Sequence, residues 1–215
     1  MAALPLRVTE IFLSLQGEAS RVGLPTVFVR LTGCPLRCVW CDTAYAFRGG
    51  SPETVGSVLE RVAAFRVHRV CVTGGEPLAQ RACIDLLQAL CDVGNDVSLE
   101  TSGSLDVSAV DPRVSRIVDV KAPGSGEAER NHWANLALLG KRDEVKFVLA
   151  DRADYDWACT IIKQYALVEQ SNVLFSAVHD QLAAGMLADW IVADRLDVRL
   201  QVQLHKLLWG NVPGR

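Results

Sequence analysis

Short apolar runs alternate with longer amphipathic stretches along the 215 residues. The first clear run, residues 26–32 (Thr-Val-Phe-Val-Arg-Leu-Thr), predicts a strand. Ser51-Pro52-Glu53 predicts a helix start, with serine as N-cap and proline in the first helical position. Val55, Val58, Leu59, Val62 and Phe65 then recur at helical spacing. A buried strand over 69–73 ends in Gly74-Gly75. The next helix carries Ala79, Ala82, Cys83, Leu86, Leu87 and Leu90 on one face. Strands are predicted over 97–101, 117–120, 145–149, 173–175 and 198–204, with helices around 133–139, 155–165 and 182–192 between them. This β-then-α rhythm predicts a parallel sheet with right-handed crossovers. About seven strands are too few for a closed eight-stranded barrel, which takes ~250 residues. The expected fold class is therefore α/β, an open partial (β/α) barrel of six to seven parallel strands. Residues 1–215 fit one domain, since a single core can grow to roughly 250 residues before splitting.

Composition narrows the function more by exclusion than by assignment. Half of the residues are hydrophobic and 22% are charged, which is ordinary for a globular domain. A formal charge of −3 gives no electrostatic footprint for nucleic acid. No apolar stretch approaches the ~18 uncharged residues of a membrane span. The first residues show no secretory pattern, so a cytoplasmic location is expected. Seven cysteines are many for such a protein, and a disulfide framework belongs to small secreted domains instead.

Three of those cysteines form the chain's most unusual feature. Cys34, Cys38 and Cys41 stand at CxxxCxxC spacing just after the first predicted strand, in a loop that Gly33 and Pro35 keep irregular. Iron–sulfur clusters are held by thiolates, and a full protein set is four. No fourth cysteine lies nearby, so a [4Fe–4S] cluster here keeps one iron open. A zinc site completed by His68 or His132 is the alternative, although zinc cysteines usually come as distant CxxC pairs. Cys71, Cys83, Cys91 and Cys159 fall on strands and helix faces, where a thiol acts as a small hydrophobe. Residues 73–77, 100–103, 119–124, 176–180 and 205–206 also follow predicted strands. In parallel α/β folds those strand ends share the face that carries the active site.

The cysteine loop, with Trp40 before the third cysteine, resembles the signature of radical S-adenosylmethionine (SAM) enzymes. Thr73-Gly74-Gly75-Glu76-Pro77 is similar to their GGEP motif, and residues 100–103 resemble their cofactor ribose and carboxylate contacts. Residues 10–18, ending Leu15-Gln16-Gly17-Glu18, followed by Arg30 and by Cys41-Asp42-Thr43, resemble the 7-carboxy-7-deazaguanine synthases over essentially the whole chain. The resemblance implies conversion of 6-carboxy-5,6,7,8-tetrahydropterin to 7-carboxy-7-deazaguanine, with loss of ammonia, in queuosine biosynthesis. It implies SAM contacts at Trp40, Asp42, Gly75, Glu76, Ser102, Asp119, Lys121 and Ser176, with Glu76 receiving the cofactor's ammonium. It implies substrate contacts at Leu15, Gln16, Gly17, Glu18, Arg30, Thr73 and His205, and Mg²⁺ on Thr43. A buried glutamine offers both hydrogen-bond types to a pterin edge, and an arginine can grip its carboxylate with two donors. No side chain is assigned as acid or base. A flavodoxin- or ferredoxin-like reductant and a homodimer covering an open sheet edge are further expectations. The sequence departs from the family where Ala19 replaces a glycine and in the tail after Lys206. The rival readings are an activase that installs glycyl radicals and a non-catalytic metal-binding module.

Overall fold

The computed structural model describes residues 5–210, 212 and 214. Nine strands form one sheet in the order β3-β1-β2-β4-β5-β6-β7-β8-β9. Seven of them run parallel: β2 (Pro25–Leu31), β4 (Arg69–Gly74), β5 (Asp96–Thr101), β6 (Ser115–Val120), β7 (Glu144–Leu149), β8 (Asn172–Ala177) and β9 (Arg199–Gln201). At one edge β1 (Leu6–Leu15) pairs antiparallel with β2, and β3 (Ser51–Glu53) pairs antiparallel with β1. Among the described residues no pairing joins β9 back to β3, so the barrel is partial and open, as the strand count predicts.

Alternation along the parallel strands sorts their side chains into two environments. Val27, Val29, Leu31, Val70, Val72, Val97 and Leu99 pack beneath α1 (Val55–Ala64) and α2 (Ala82–Asp92). Val118, Val120, Val145, Phe147, Leu149, Val173 and Phe175 do the same beneath α3 (Arg152–Gln164), α4 (Leu167–Gln170) and α5 (Ala184–Asp194). The residues between them, including Phe28, Arg30, Thr73, Glu100, Asp119, Lys146 and Ser176, face a cavity. One register therefore puts aliphatic side chains outward under the helices and a polar set inward. Cys71, Cys83 and Cys91 are buried, and Cys159 packs against the second core, as their positions on strands and helix faces lead one to expect.

Four elements differ from expectation. Residues 51–53 form β3, because their backbone pairs with Leu6–Val8. The helix starts instead after Thr54, whose hydroxyl accepts from Ser57 N at 3.0 Å while Ser57 Oγ accepts from Thr54 N at 3.0 Å, a closed capping box. The ten-residue β1 has no clean alternation in its sequence, and its register shifts between Val8 and Glu10. Residues Trp133–Leu138 form a 3₁₀ helix. The expected strand over 198–204 pairs only through Arg199–Gln201, and Leu204–Trp209 forms a short helix, α6. His205 thus stands on a helix, four residues beyond the end of the last strand.

Candidate functional site

The strand ends converge on a cavity of about 650 Å³. Its wall includes residues from all six strand-end segments singled out in the sequence, together with the end of β1. No helix among the described residues is long and apolar enough to cross a membrane.

The cysteine loop is built by backbone bonds at both ends. Gly33 N donates to Ala46 O at 2.8 Å, Glu76 N donates to Gly33 O at 2.8 Å, and Val39 N donates to Ser125 O at 3.0 Å. Gly33 takes φ +98°, a conformation that favours glycine. Gly75 is held against the loop so closely that an added Cβ would lie 2.2 Å from Gly33 O and 2.8 Å from Cys34 Cβ. The second glycine of the motif thus serves the approach of β4 to the cysteine loop. Cys34, Cys38 and Cys41 are half-buried, and all three line the cavity beside Trp40. Burial pushes the Cys34 and Cys38 thiols up, so loading metal on them releases protons. None of the other four cysteines lines the cavity.

These residues fit an iron–sulfur cluster with an open iron: three thiols share one polar-walled chamber, and no fourth thiol is present on its wall. Among the described residues no three His, Cys, Asp or Glu side chains are placed to hold a single metal ion.

Glu76 is placed otherwise than expected. It is fully buried and does not line the cavity. Its carboxylate accepts from Leu78 N at 2.9 Å, Ser102 N at 2.7 Å, Thr101 Oγ1 at 3.0 Å and the Ser102 hydroxyl. With its lone pairs filled by protein donors, it ties the end of β4 to the end of β5 and has none turned to a cofactor's ammonium. Every other expected contact lies on the cavity wall: Trp40, Asp42, Gly75, Ser102, Asp119, Lys121 and Ser176, and Leu15, Gln16, Gly17, Glu18, Arg30, Thr73, His205 and Thr43.

At the β1 end, Gln16 is 2% exposed and donates to Glu100 Oε1 at 3.2 Å, while Thr73 Oγ1 donates to Glu100 Oε2 at 3.2 Å. Burial raises the Glu100 carboxyl above its usual range. Arg30 is held by Glu10 through Nε at 2.7 Å and lies against the Phe12 and Tyr45 rings, which leaves its terminal nitrogens for a ligand. Glu18 accepts from Lys146 Nζ at 2.8 Å, Gln201 Nε2 at 3.1 Å and Gln203 Nε2 at 2.7 Å. Lys121 pairs with Asp119 at 3.0 Å, so it is neither solvated nor free. Burial opposes ionisation of Asp42, yet Lys206 at 3.4 Å, the Thr43 hydroxyl and Gln203 outweigh it and bring the carboxyl to about 2.

Helix α6 closes this end. Leu204 N donates to Gly17 O at 3.0 Å, and a Cβ on Gly17 would lie 2.3 Å from His205 Nδ1. Burial lowers the His205 pKa, which favours the neutral imidazole. Ala19 adopts φ +63°, and its N–H donates to Gln201 Oε1 at 2.9 Å; a left-handed alanine costs about 1–2 kcal/mol, so glycine would fit this position without that strain. In the tail Gly210, Val212 and Gly214 line the cavity, while residues 211, 213 and 215 lie outside the described set. Sequence reading passed over Lys146 and Gln201, and gave Glu10 and Gln203 no role of their own. A lysine within the apolar run 145–149 is a signal of its own, since lysine is almost never fully buried unpaired.

Comparison with known proteins places these features. Residues 28–122 match the radical SAM superfamily. The 7-carboxy-7-deazaguanine synthase of Chlorobaculum tepidum is 47% identical over 96% of this chain and 95% of its own length. That of Koribacter versatilis is 41% identical over 95% and 97%. Among solved structures, the crystal structure of QueE from Escherichia coli superposes with a TM-score of 0.75 at 22% identity, over 94% of this chain and 95% of that one.

Proposed function

The chain belongs to the 7-carboxy-7-deazaguanine synthases of the radical SAM superfamily, and on that premise we propose how its own residues carry out the family's reaction. That reaction is contraction of the 6-carboxy-5,6,7,8-tetrahydropterin ring to 7-carboxy-7-deazaguanine, with release of ammonia. The observation that carries the reading is one cavity whose wall bears the three cysteines together with Gln16, Glu18, Arg30 and Thr73.

In this reading Cys34, Cys38 and Cys41 hold the [4Fe–4S] cluster, and Trp40, Asp42, Gly75, Ser102, Asp119, Lys121 and Ser176 surround SAM. When bound, cluster and cofactor together supply one-electron reduction and hydrogen abstraction. Arg30, steadied by Glu10, grips the substrate carboxylate with its two terminal nitrogens. Gln16 and Glu18 meet the polar edge of the pterin, and Thr73 and His205 complete its surroundings. Leu15 and the tail exclude water. Holding the reacting atoms in contact is the protein's main contribution. Thr43, whose hydroxyl donates to Asp42 Oδ1 at 2.8 Å, keeps lone pairs for Mg²⁺. One protein oxygen is too few for an octahedral ion, so substrate and water would complete the shell.

A flavodoxin- or ferredoxin-like protein supplies the electron. The single hydrogen-bonded sheet supports one domain over residues 1–215. Beyond Leu6–Val8 the outer edge of β1 has no strand partner among the described residues, and Leu13 on it is exposed, which supports a homodimer across that edge. The test is anaerobic reconstitution followed by assay with the carboxytetrahydropterin, with and without Mg²⁺. Formation of the deazaguanine is expected; SAM cleavage with no change in the pterin would overturn the substrate assignment.

A further inference from the structure

Lys146 stands mid-strand on β7, between Val145 and Phe147, which face the helix-covered core. Strand alternation turns it inward, opposite Asp119 in the register of β6 and β7. Its side chain is 12% exposed, and its ammonium lies 2.8 Å from Glu18 Oε2 and 3.7 Å from Asp119 Oδ2.

The acceptor count on Glu18 gives this contact its meaning. A carboxylate offers about four lone-pair sites. Lys146 and Gln201 occupy two on Oε2, and Gln203 occupies one on Oε1. One site on Oε1 is left for a ligand. The amino-pyrimidinone half of a pterin presents N–H donors, which that site can accept only while Glu18 is ionised. A proton on Glu18 would turn the site into a donor facing a donor.

The surroundings decide which form prevails. Burial and the carboxylates of Asp42 and Glu100 favour the protonated acid. Lys121 is engaged by Asp119, Lys206 by Asp42 and Arg30 by Glu10, and burial favours a neutral His205. Lys146 is the one cation in direct contact with Glu18 among the described residues. Its attraction and hydrogen bond bring the Glu18 carboxyl below its usual value against the pull of burial.

We propose that Lys146 is a positioning residue for substrate recognition, keeping Glu18 ionised and oriented so that its open Oε1 site accepts a pterin N–H. This rests on the assignment of the cavity to the carboxytetrahydropterin. The test uses anaerobically reconstituted holoenzyme carrying Lys146→Met, Lys146→Arg or the pair Lys146→Met with Glu18→Gln. KM and kcat are measured from mildly acidic to mildly alkaline buffer, and pterin binding without reductant is measured by calorimetry.

Lys146→Met should raise KM by about ten- to a hundredfold at neutral pH, as for loss of one charged hydrogen bond, with kcat changed far less. KM should recover as pH rises and Glu18 ionises unaided. Lys146→Arg should restore a flat profile, and the double variant should lose the pH dependence. A flat KM profile in Lys146→Met, or equal losses in the Met and Arg variants, would overturn the proposal. Where Lys146→Met does not fold, Lys146→Gln carries the same prediction. A wild-type enzyme that leaves the pterin unchanged defeats the assignment beneath it; a working wild type with an unshifted variant profile defeats only the role of Lys146.

Discussion

Replacing Gly75 with alanine tests whether the cysteine loop depends on the close approach of β4. The added Cβ would lie 2.2 Å from Gly33 O, 2.6 Å from Gly33 C and 2.8 Å from Cys34 Cβ, and real Cβ contacts essentially never fall below 3.0 Å. Two of those three atoms are backbone, so no rotamer change relieves the overlap, and the loop must retreat by at least the 0.8 Å shortfall. Retreat strains the 2.8 Å bond from Glu76 N to Gly33 O and moves Cys34 itself. Overpacking costs about 1–3 kcal/mol, and a buried hydrogen bond left unmade costs about 1–3 kcal/mol. Together these come to about 2–6 kcal/mol, a fall in Tm of roughly 4–24 °C at this chain length. Gly140→Ala is the control, because a Cβ there meets nothing within 4 Å. Differential scanning calorimetry of the anaerobic protein and iron analysis after reconstitution give the two readouts. Gly75→Ala should lose both stability and iron, and Gly140→Ala neither. A Gly75→Ala protein with native Tm and full iron content would refute the reasoning.

Glu76→Gln would place an amide NH₂ among four protein donors, and should cost about 2–4 kcal/mol in urea unfolding. If Glu76 instead held the cofactor's ammonium, SAM affinity would fall while stability held. Arg30→Lys keeps the charge but loses the forked donor pair, so KM for the pterin should rise about tenfold or more, while reductive SAM cleavage without substrate persists. An unchanged KM there would remove Arg30 from the substrate grip.

Much of the architecture was legible from local pattern, because parallel strands buried on both faces read as apolar runs whatever lies beside them. The failures share a cause. Ser51-Pro52-Glu53 satisfies the local rules for a helix start, yet β1 offers its backbone a partner, and pairing decided the matter. β1 itself mixes Arg7, Thr9, Glu10 and Ser14 into its apolar positions, so no period of two survives to be read. Residues 198–204 looked like a strand because Val198, Leu200, Val202 and Leu204 alternate, but pairing with β8 stops at Gln201.

For the site, residue spacing alone determined the three-thiol loop with its missing fourth ligand, since the ligands lie within eight residues and geometry follows from local chain. The partners of Glu18 could not be found that way. Lys146 is 128 positions away and Gln203 is 185, and only the crossovers that set β7 and α6 beside the end of β1 bring them together. Glu76 shows the converse: its motif marked it as a ligand, while the packing of β4 against β5 surrounded its carboxylate with protein donors. Local sequence determined which chemistry the chain can hold. Tertiary structure decided which charges meet, because each buried carboxylate must find its donors wherever the fold places them.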